Sequence, residues 1–268
     1  MSISMRSATI VDLLAVLILS SYGVLVYLAT TGTGSGSLDP ILAAAQARGE
    51  LRVATDSGFR PFSDLADGAF VGYDIDLARA VAAKLSLEVV FVPTGFDGLY
   101  DTLTSGRADM IASALPYAPE FGERARFSSF YFDGGQVILA PAGSPIVGAA
   151  DLAGQLVGVA LGSDADALAR RLAARTAGMQ VQATYETPDE VVAALRRGEL
   201  AAAIVDNVTA LGATQGRGDL RIAAALTSEP YVLAMPVNAF QLQREVNQAL
   251  AELQAEGFFE QLNARWFR

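Results

Sequence analysis

The sequence predicts an α/β fold built on mostly parallel sheets and preceded by one transmembrane helix. Nine apolar runs of strand length recur along the 268 residues, and segments with helical periodicity separate most of them. Strands that alternate with helices of this length are typical of parallel sheets covered by helices on both faces. The transmembrane helix is predicted from 19 consecutive uncharged residues at 13–31, close to the roughly 20 that a bilayer-spanning helix needs.

The strand candidates are short apolar runs, and the segments between them carry helix signals. The runs lie at 51–55, 87–92, 109–113, 136–140, 156–160, 181–185, 201–206, 220–224 and 231–235. Apolar residues recur at helical spacing from Ile75 to Leu85, so we expect a helix there. A capping box at 187–190, with proline at the first helical position, predicts the start of another helix. A long amphipathic pattern predicts a third helix at about 239–255.

The N-terminal part is expected to carry three segments. Residues 1–12 form a short cytoplasmic N-terminus, 13–31 a transmembrane anchor or a signal peptide, and 32–49 a linker and first helix. The apolar stretch is longer than the about 7–15 residues typical of a signal peptide, which favours an anchor. Arg6 precedes the span, and the next basic residue after it is Arg48. The positive-inside rule therefore predicts that the bulk of the chain lies outside the cytoplasm.

The composition excludes several kinds of chemistry. The chain has no cysteine, no histidine and a single lysine, Lys84, and its formal net charge is −10. Without cysteine there is no disulfide, thiol nucleophile or zinc–thiolate site, and without histidine there is no Ser–His–Asp triad or imidazole ligand. Nucleic-acid phosphates need clustered positive charge, which an acidic chain lacks. We therefore expect no cofactor and no nucleic-acid partner.

Three closely spaced acidic pairs are candidates for a metal site or for acid–base catalysis. The pairs are Asp74 and Asp76, Asp164 and Asp166, and Asp189 and Glu190. Residues two apart share a face on a strand but not on a helix, and most such pairs are solvated. We therefore expect no metal site and no catalytic residue.

An ordered series of short motifs runs through nearly all of the chain after residue 50. It comprises LRVATD at 51–56, PF at 61–62, GYDIDLA at 72–78, FDGL at 96–99, ADMI at 108–111, DLAG at 151–154, VGV at 157–159, AIVD at 203–206 and RWF at 265–267. Each motif is weak by itself. The set, in this order and at these spacings, resembles the bacterial extracellular solute-binding proteins, family 3, which serve amino-acid ABC transporters.

The resemblance implies a two-lobed periplasmic-binding-protein fold, in which two crossover strands join the lobes and a ligand lies in the cleft between them. Carried over to this chain, lobe 1 comprises 50–137 plus 233–268, and lobe 2 comprises 138–232. The expected location is the periplasmic side of the bacterial inner membrane, held by the single-pass anchor, with secretion after signal cleavage as the alternative. The expected partners are a small-molecule solute or none, and an integral membrane complex, either an ABC permease or another membrane assembly.

The resemblance also implies seven ligand-binding positions. They are Phe59, Phe96, Ser113, Phe121, Ser163, Asp164 and Asp206. In the family, positions 59 and 96 hold aromatic rings that stack on the ligand, and position 206 holds the carboxylate that pairs with its α-ammonium. Positions 113, 163 and 164 offer hydroxyl or backbone groups. Two alternatives stay open: the aromatic rings pack in a core, or Asp206 caps the helix that follows it.

Position 121 departs from the family pattern. Amino-acid-binding members hold the ligand's α-carboxylate with an arginine 12 residues after the Asp109 position and six before the Phe127 position, and both counts lead to Phe121. A guanidinium grips a carboxylate at two points, which phenylalanine does not. Arg124, one helical turn away, is the candidate replacement, although its charged neighbours are typical of a solvated face.

Three hypotheses follow for the function. The first is a membrane-anchored periplasmic solute-binding protein, not an enzyme, whose ligand is an organic amine rather than an ordinary α-amino acid. The second is an accessory or structural subunit of an integral membrane complex that keeps the fold but has lost ligand binding. The third is a carboxylate-based, dehydratase-like enzyme, because such enzymes occur on similar folds. A cleft filled by Phe121 and its neighbours would favour the second hypothesis.

Overall fold

The computed structural model of the chain describes residues 39–267. The predicted cytoplasmic N-terminus at 1–12, the predicted anchor at 13–31 and residues 32–38 of the predicted linker and first helix lie outside these residues. Within residues 39–267, no helix is both long enough and apolar enough to cross a membrane.

Strands and helices alternate along the described chain. The strands are β1 (Glu50–Thr55), β2 (Gly58–Phe59), β3 (Ser63–Ala66), β4 (Ala69–Val71), β5 (Glu88–Pro93), β6 (Met110–Pro116), β7 (Ala125–Phe127), β8 (Phe132–Asp133), β9 (Gln136–Pro141), β10 (Leu156–Ala160), β11 (Gln180–Tyr185), β12 (Ala202–Asp206), β13 (Leu220–Ala225) and β14 (Pro230–Pro236). The α-helices are α1 (Pro40–Arg48), α2 (Tyr73–Lys84), α3 (Leu99–Thr104), α4 (Asp164–Ala173), α5 (Pro188–Arg196), α6 (Asn207–Thr214), α7 (Phe240–Ala255) and α8 (Phe258–Trp266). Short 3₁₀ helices occupy Phe96–Gly98, Pro119–Phe121 and Ala149–Leu152. All nine predicted apolar runs fall on strands, and the three predicted helices are α2, α5 and α7.

Two mixed sheets form the two lobes. The strand order is β5-β1-β6-β14-β7 in lobe 1, with β8 paired to β14, and β11-β10-β12-β9-β13 in lobe 2. Three neighbouring strands of each sheet are parallel, and β14 and β9 pair with them in the antiparallel direction. The sheets are less parallel than the sequence predicts because β9 and β14 each enter from the other lobe. These strands begin at Gln136 and Pro230, slightly before the implied lobe limits at 137/138 and 232/233.

Each lobe has its own apolar core. In lobe 1, Leu77 and Val81 on α2 and Val246 on α7 are fully buried. In lobe 2, α5 buries Val191 and Leu195 in a separate cluster. Full burial of such a side chain contributes about 1.5–3 kcal/mol, so the cores stabilise each lobe separately. The two cores do not fill the space between the sheets, and this space forms the cleft.

The chain crosses between the lobes twice, and the two crossings touch. One crossing, between β8 and β9, contains Gly134 and Gly135, and the other, between β13 and β14, spans 226–229. A Cβ atom on Gly135 would lie 2.3 Å from the carbonyl oxygen of Thr227. A Cβ atom on Gly134 would lie 2.6 Å from the hydroxyl oxygen of Tyr231. Glycine is therefore required at position 135, where the neighbour is backbone, whereas a side chain at position 134 would displace the Tyr231 ring.

Asp133 links the two crossings by hydrogen bonds. Its carboxylate accepts hydrogen bonds from the backbone N–H of Gly135 at 2.9 Å, the backbone N–H of Glu229 at 2.8 Å and the hydroxyl of Ser228 at 2.7 Å. Partial burial acts to raise the pKa of this carboxyl, but the three hydrogen bonds outweigh it and hold the pKa below its ordinary value. The ionised form of Asp133 therefore stabilises the connection between the lobes.

We expect Asp133→Asn to lower the free energy of unfolding by about 1 kcal/mol at neutral pH, because exposed charge-assisted hydrogen bonds are partly screened by water. The lowered pKa means that this stabilisation is lost in the wild type as the pH falls through the folded-state pKa, so the two proteins should converge in acid. Urea denaturation at both pH values measures the difference. Asp97→Asn, the same change at an exposed carboxyl outside the two crossings, is the control. An equal effect of the control would contradict the role of Asp133.

Candidate ligand-binding site

A cavity of about 700 Å³ lies between the two sheets, and both lobes and both crossings line it. Its walls include the C-terminal ends of β1, β6, β10 and β12, the edge at which open α/β sheets bind ligands. The lining residues are Asp56, Gly58, Phe59, Arg60, Phe96, Ala114, Pro116, Gly134, Gln136, Ala160, Ser163, Asp164, Ala165, Pro188, Ile204, Val205, Asp206, Val208, Glu229 and Tyr231. Five of the seven predicted positions are in this set; Ser113 and Phe121 are not.

Two half-exposed phenylalanine rings stand in the lobe 1 wall. Phe59 on β2 is 46% exposed, and Phe96 in its 3₁₀ helix is 47% exposed. Phe59 stacks on Phe62, with ring centroids 5.7 Å apart and planes 11° apart, and Phe62 is fully buried. A ring held from behind with an open face is suited to stacking on an apolar or cationic ligand. The alternative of complete burial in a core does not apply to either ring.

Four carboxylates line the cavity: Asp56, Asp164, Asp206 and Glu229. Asp56 directly follows β1 in lobe 1, Asp164 and Asp206 belong to lobe 2, and Glu229 lies in a crossing. The pKa of Glu229 is raised, chiefly by burial and then by the negative charges of Asp164, Asp133 and Asp206. The negative charges of Asp164 and Asp206 therefore act on Glu229 across the cavity.

Asp206 both lines the cavity and caps a helix. Its Oδ1 accepts a hydrogen bond from the backbone N–H of Thr209 at 2.8 Å, and its Oδ2 accepts one from the Thr209 hydroxyl at 2.8 Å. These bonds satisfy the N-terminus of α6, so the capping alternative is observed. Each carboxylate oxygen has a second lone pair, so capping leaves acceptor capacity toward the cavity.

Positive charge is scarce in the cavity wall. Among the lining residues, Arg60 is the one that carries a guanidinium. Its side chain is 79% exposed and pairs with Asp64 at 2.5 Å. The guanidinium is therefore ion-paired at the solvent-exposed rim, and with four carboxylates the wall carries a surplus of negative charge.

The side chains at the two predicted serine positions form hydrogen bonds to the backbone near the ends of strands. Ser113 is 3% exposed and outside the cavity lining; its Oγ accepts a hydrogen bond from the backbone N–H of Asp56 at 3.0 Å. Ser163 lines the cavity, accepts from the N–H of Asp166 at 3.2 Å and donates to the carbonyl oxygen of Ala160 at 2.7 Å. Both hydroxyls are thus engaged in positioning backbone.

Phe121 packs away from the cavity lining. Its ring stacks on Tyr100, with centroids 4.2 Å apart and planes 7° apart. The Arg124 guanidinium lies 5.8 Å from the centroid of each of these rings and pairs with Asp101. Neither Phe121 nor Arg124 belongs to the cavity lining. The cavity is therefore not filled by Phe121, and Arg124 does not take the place of the family's arginine.

A buried carboxylate supports the cavity floor from behind. Asp74 on α2 is fully buried and accepts hydrogen bonds from the backbone N–H of Ala114, a lining residue, and from the Tyr131 hydroxyl at 2.8 Å. Ala114 has a φ of 41°, which is uncommon for a residue with a Cβ atom. Burial raises the pKa of Asp74 to about 7, although both hydrogen bonds act to lower it. Asp74 therefore holds an unusual backbone conformation in the floor.

Two acidic residues that were expected to be solvated are buried. Asp74 faces the core, whereas Asp76, two residues along the same helix, receives the indole N–H of Trp266 at 2.9 Å. Asp166 is 6% exposed and pairs with Arg170 at 2.7 Å. In these two pairs the expectation fails because helical residues two apart point to different faces, so one member turns inward. Asp189 and Glu190 are both exposed, as expected. Within residues 39–267, no group of three His, Cys, Asp or Glu side chains is placed to hold a metal ion.

Sequence reasoning missed Asp56, Gln136 and Glu229 in the cavity wall. Asp56 has a recognisable signal, since it directly follows a buried strand whose C-terminal end faces the cleft. Gln136 and Glu229 lie at the two crossings, where the sequence carries no apolar pattern that predicts a cavity wall.

A two-lobed α/β fold with a cavity between the lobes is the architecture typical of solute-binding proteins. The family model for bacterial extracellular solute-binding proteins, family 3, matches residues 51–268, and the chain belongs to this family. The resemblance inferred from the motifs and the two-lobed fold class are both confirmed.

The chain is similar to proteins that are named for their ligands. It is 29% identical over 235 residues to the L-cystine-binding protein TcyJ of Escherichia coli, covering 85% of this chain and 86% of that protein. It is 29% identical over 228 residues to the lysine/arginine/ornithine-binding periplasmic protein of Escherichia coli, covering 81% and 87%. Among solved structures, an ancestral cationic amino acid solute-binding protein is 27% identical with a TM-score of 0.65, covering 85% and 99%. The unliganded, open L-cystine receptor of Neisseria gonorrhoeae shares the fold, with 23% identity, a TM-score of 0.75 and coverage of 84% and 96%.

Proposed function

We propose that the chain is a membrane-anchored periplasmic solute-binding protein that binds an amine-bearing solute between its lobes and delivers it to an ABC permease. The observation that carries the proposal is the open cavity, whose walls offer two aromatic faces and four carboxylates. A solute in this position contacts both lobes, so it stabilises their closed arrangement by its contacts with each. Binding of this kind needs no catalytic residue.

The open cavity favours ligand binding over the accessory-subunit hypothesis. A cleft filled by side chains would have favoured loss of binding, whereas the cavity is open and Phe121 packs on Tyr100 outside its lining. The rings of Phe59 and Phe96 are also about half exposed, and packing between side chains gives no reason for this exposure.

The relatives named above bind amino acids, including cationic ones, and this chain differs from the family pattern at the carboxylate-binding position. Arg60, the guanidinium in the cavity wall, is paired with Asp64. A ligand carboxylate would therefore meet four carboxylates and no free guanidinium among the lining residues, an arrangement that opposes its burial. An amine without a carboxylate fits this wall better than an α-amino acid.

The enzyme hypothesis has weaker support. One similar solved structure is an ancestral amino acid-binding protein described as a precursor of cyclohexadienyl dehydratase, with 29% identity and a TM-score of 0.52. An acidic substrate is poorly matched to the negative cavity wall of this chain.

The uncharged stretch at 13–31 supports the proposed anchoring, and the family's ABC transporters support the proposed permease partner.

Thermal unfolding of the full chain, purified in mild detergent, tests the proposal with matched ligand pairs. Lysine and 1,5-diaminopentane differ only by the carboxylate, and so do arginine and agmatine. We expect the amine of each pair to raise the melting temperature more than its parent amino acid, because binding to the folded state alone stabilises it. A larger shift with the amino acids would contradict the amine assignment, and no shift with any compound would contradict ligand binding.

A further inference from the structure

The carboxylates of the cavity stand on both of its walls. Asp56 belongs to lobe 1, Asp164 and Asp206 belong to lobe 2, and Glu229 lies in the crossing between them. Within residues 39–267, none of the four forms an ion pair with an arginine or with Lys84. Each is therefore available to a cationic group of a ligand.

We propose that the cavity takes a ligand with two separate cationic nitrogen groups and no carboxylate, of the aliphatic diamine class. This inference rests on the proposed function and deepens it. A single ammonium paired with Asp206 would leave Asp56 on the opposite wall unpaired when the lobes close. Burial of an unpaired charge is costly, whereas a second cationic group on the same ligand would pair with it. One ammonium would lie at the lobe 2 carboxylates and the other at Asp56.

The remaining surfaces of the cavity fit the uncharged middle of such a ligand. The open faces of Phe59 and Phe96 offer apolar contact to a methylene chain and attract an ammonium near the ring. Gln136 also lines the cavity, and its side-chain amide is of a type that hydrogen-bonds to a polar ligand group.

The raised pKa of Glu229, in the crossing between β13 and β14, agrees with the shortage of positive charge in the cavity. Burial, followed by the charges of Asp164, Asp133 and Asp206, raises the pKa of Glu229. A cation bound among these groups would reverse the repulsion and favour the ionised form of Glu229. Binding should then release protons near the raised pKa.

Calorimetric titration of the full chain with 1,5-diaminopentane and with n-pentylamine tests the inference, because the two compounds differ in one terminal ammonium. We expect 1,5-diaminopentane to bind at least about tenfold more tightly, as one additional charge pair predicts. Equal affinity for the two amines would overturn the diamine inference and leave the proposed function standing. Binding of amino acids with no binding of either amine would overturn both.

The variant Asp56→Asn tests whether one of the two ammonium groups binds at Asp56. The Asp56 side chain makes no hydrogen bond in the described structure, so the substitution should not disturb folding, and its backbone N–H still reaches Ser113. We expect a loss of about tenfold in affinity for 1,5-diaminopentane and less than about twofold for n-pentylamine. Asp67→Asn, in an exposed turn outside the cavity, is the matched control and should change neither affinity. Equal losses for both amines, or no loss for the diamine, would overturn the assignment of Asp56.

Discussion

Asp206→Asn is expected to weaken binding of 1,5-diaminopentane by about 2 kcal/mol or more, roughly 30-fold, because it removes the charge that faces the buried ammonium. Asparagine keeps the size of aspartate and is an equally good N-cap residue, so α6 should still begin at Asn207. Its Oδ1 accepts from the Thr209 N–H as the carboxylate does. Calorimetric titration measures the affinity, and circular dichroism checks that the fold is kept.

A matched control for Asp206 exists in lobe 1. Asp39 caps α1 through the backbone N–H of Leu42 at 2.8 Å and also accepts from the N–H of Gln241, outside the cavity lining. Asp39→Asn makes the same chemical change at a helix cap and should leave the affinity unchanged. If Asp206→Asn binds the diamine as tightly as the wild type, Asp206 is a cap without a role in binding.

Asp74→Ala is expected to lower the free energy of unfolding by about 2–5 kcal/mol. The substitution deprives two buried donors, the Ala114 N–H and the Tyr131 hydroxyl, of their acceptor, and each unsatisfied donor costs about 1–3 kcal/mol. Tyr131→Phe is the matched control, because it removes one donor together with its need for an acceptor, and it should cost less. Urea denaturation gives both values, and an equal or larger cost for Tyr131→Phe would contradict the account.

The same carboxyl should make stability depend on pH. Burial raises the pKa of Asp74 from an ordinary value of 3.8 to about 7, so the folded state holds this proton more tightly than the unfolded chain does. Its contribution to stability therefore falls as the pH rises between those two values, and levels off above them. Asp74→Asn does not titrate, so the difference between wild type and variant should change between about pH 4 and about pH 7 and stay constant above that. A constant difference across this range would contradict the raised pKa.

The elements that sequence predicts best are those with a long periodic signal. All nine apolar runs became strands of the two sheets, and apolar residues mark even the partly exposed edge strands β5 and β11. The strands β2, β3, β4, β7 and β8 were missed because two to four residues are too few for alternation to register. The parallel character of the sheets was overestimated, since periodicity does not reveal that β9 and β14 arrive from the other lobe.

The cavity was predicted in part for a similar reason. Phe59, Phe96, Ser163, Asp164 and Asp206 were found through their places in family motifs, and all line the cavity. Glu229 and Gln136 converge there only because the two crossings run side by side, a long-range contact that no local pattern encodes. The stacking of Phe121 on Tyr100 likewise depends on how two distant segments pack.

The most direct test of amine binding between the lobes is a distance across the cleft. The chain has no cysteine, so spin labels can be attached at Ala47→Cys in lobe 1 and Ala167→Cys in lobe 2, both exposed positions. Pulsed electron paramagnetic resonance on the full chain then reports the label-to-label distance with and without 1,5-diaminopentane. We expect the diamine to shift the distribution to a single new distance, and lysine at the same concentration to shift it less. A distribution unchanged by the diamine, or shifted more by lysine, would contradict this expectation.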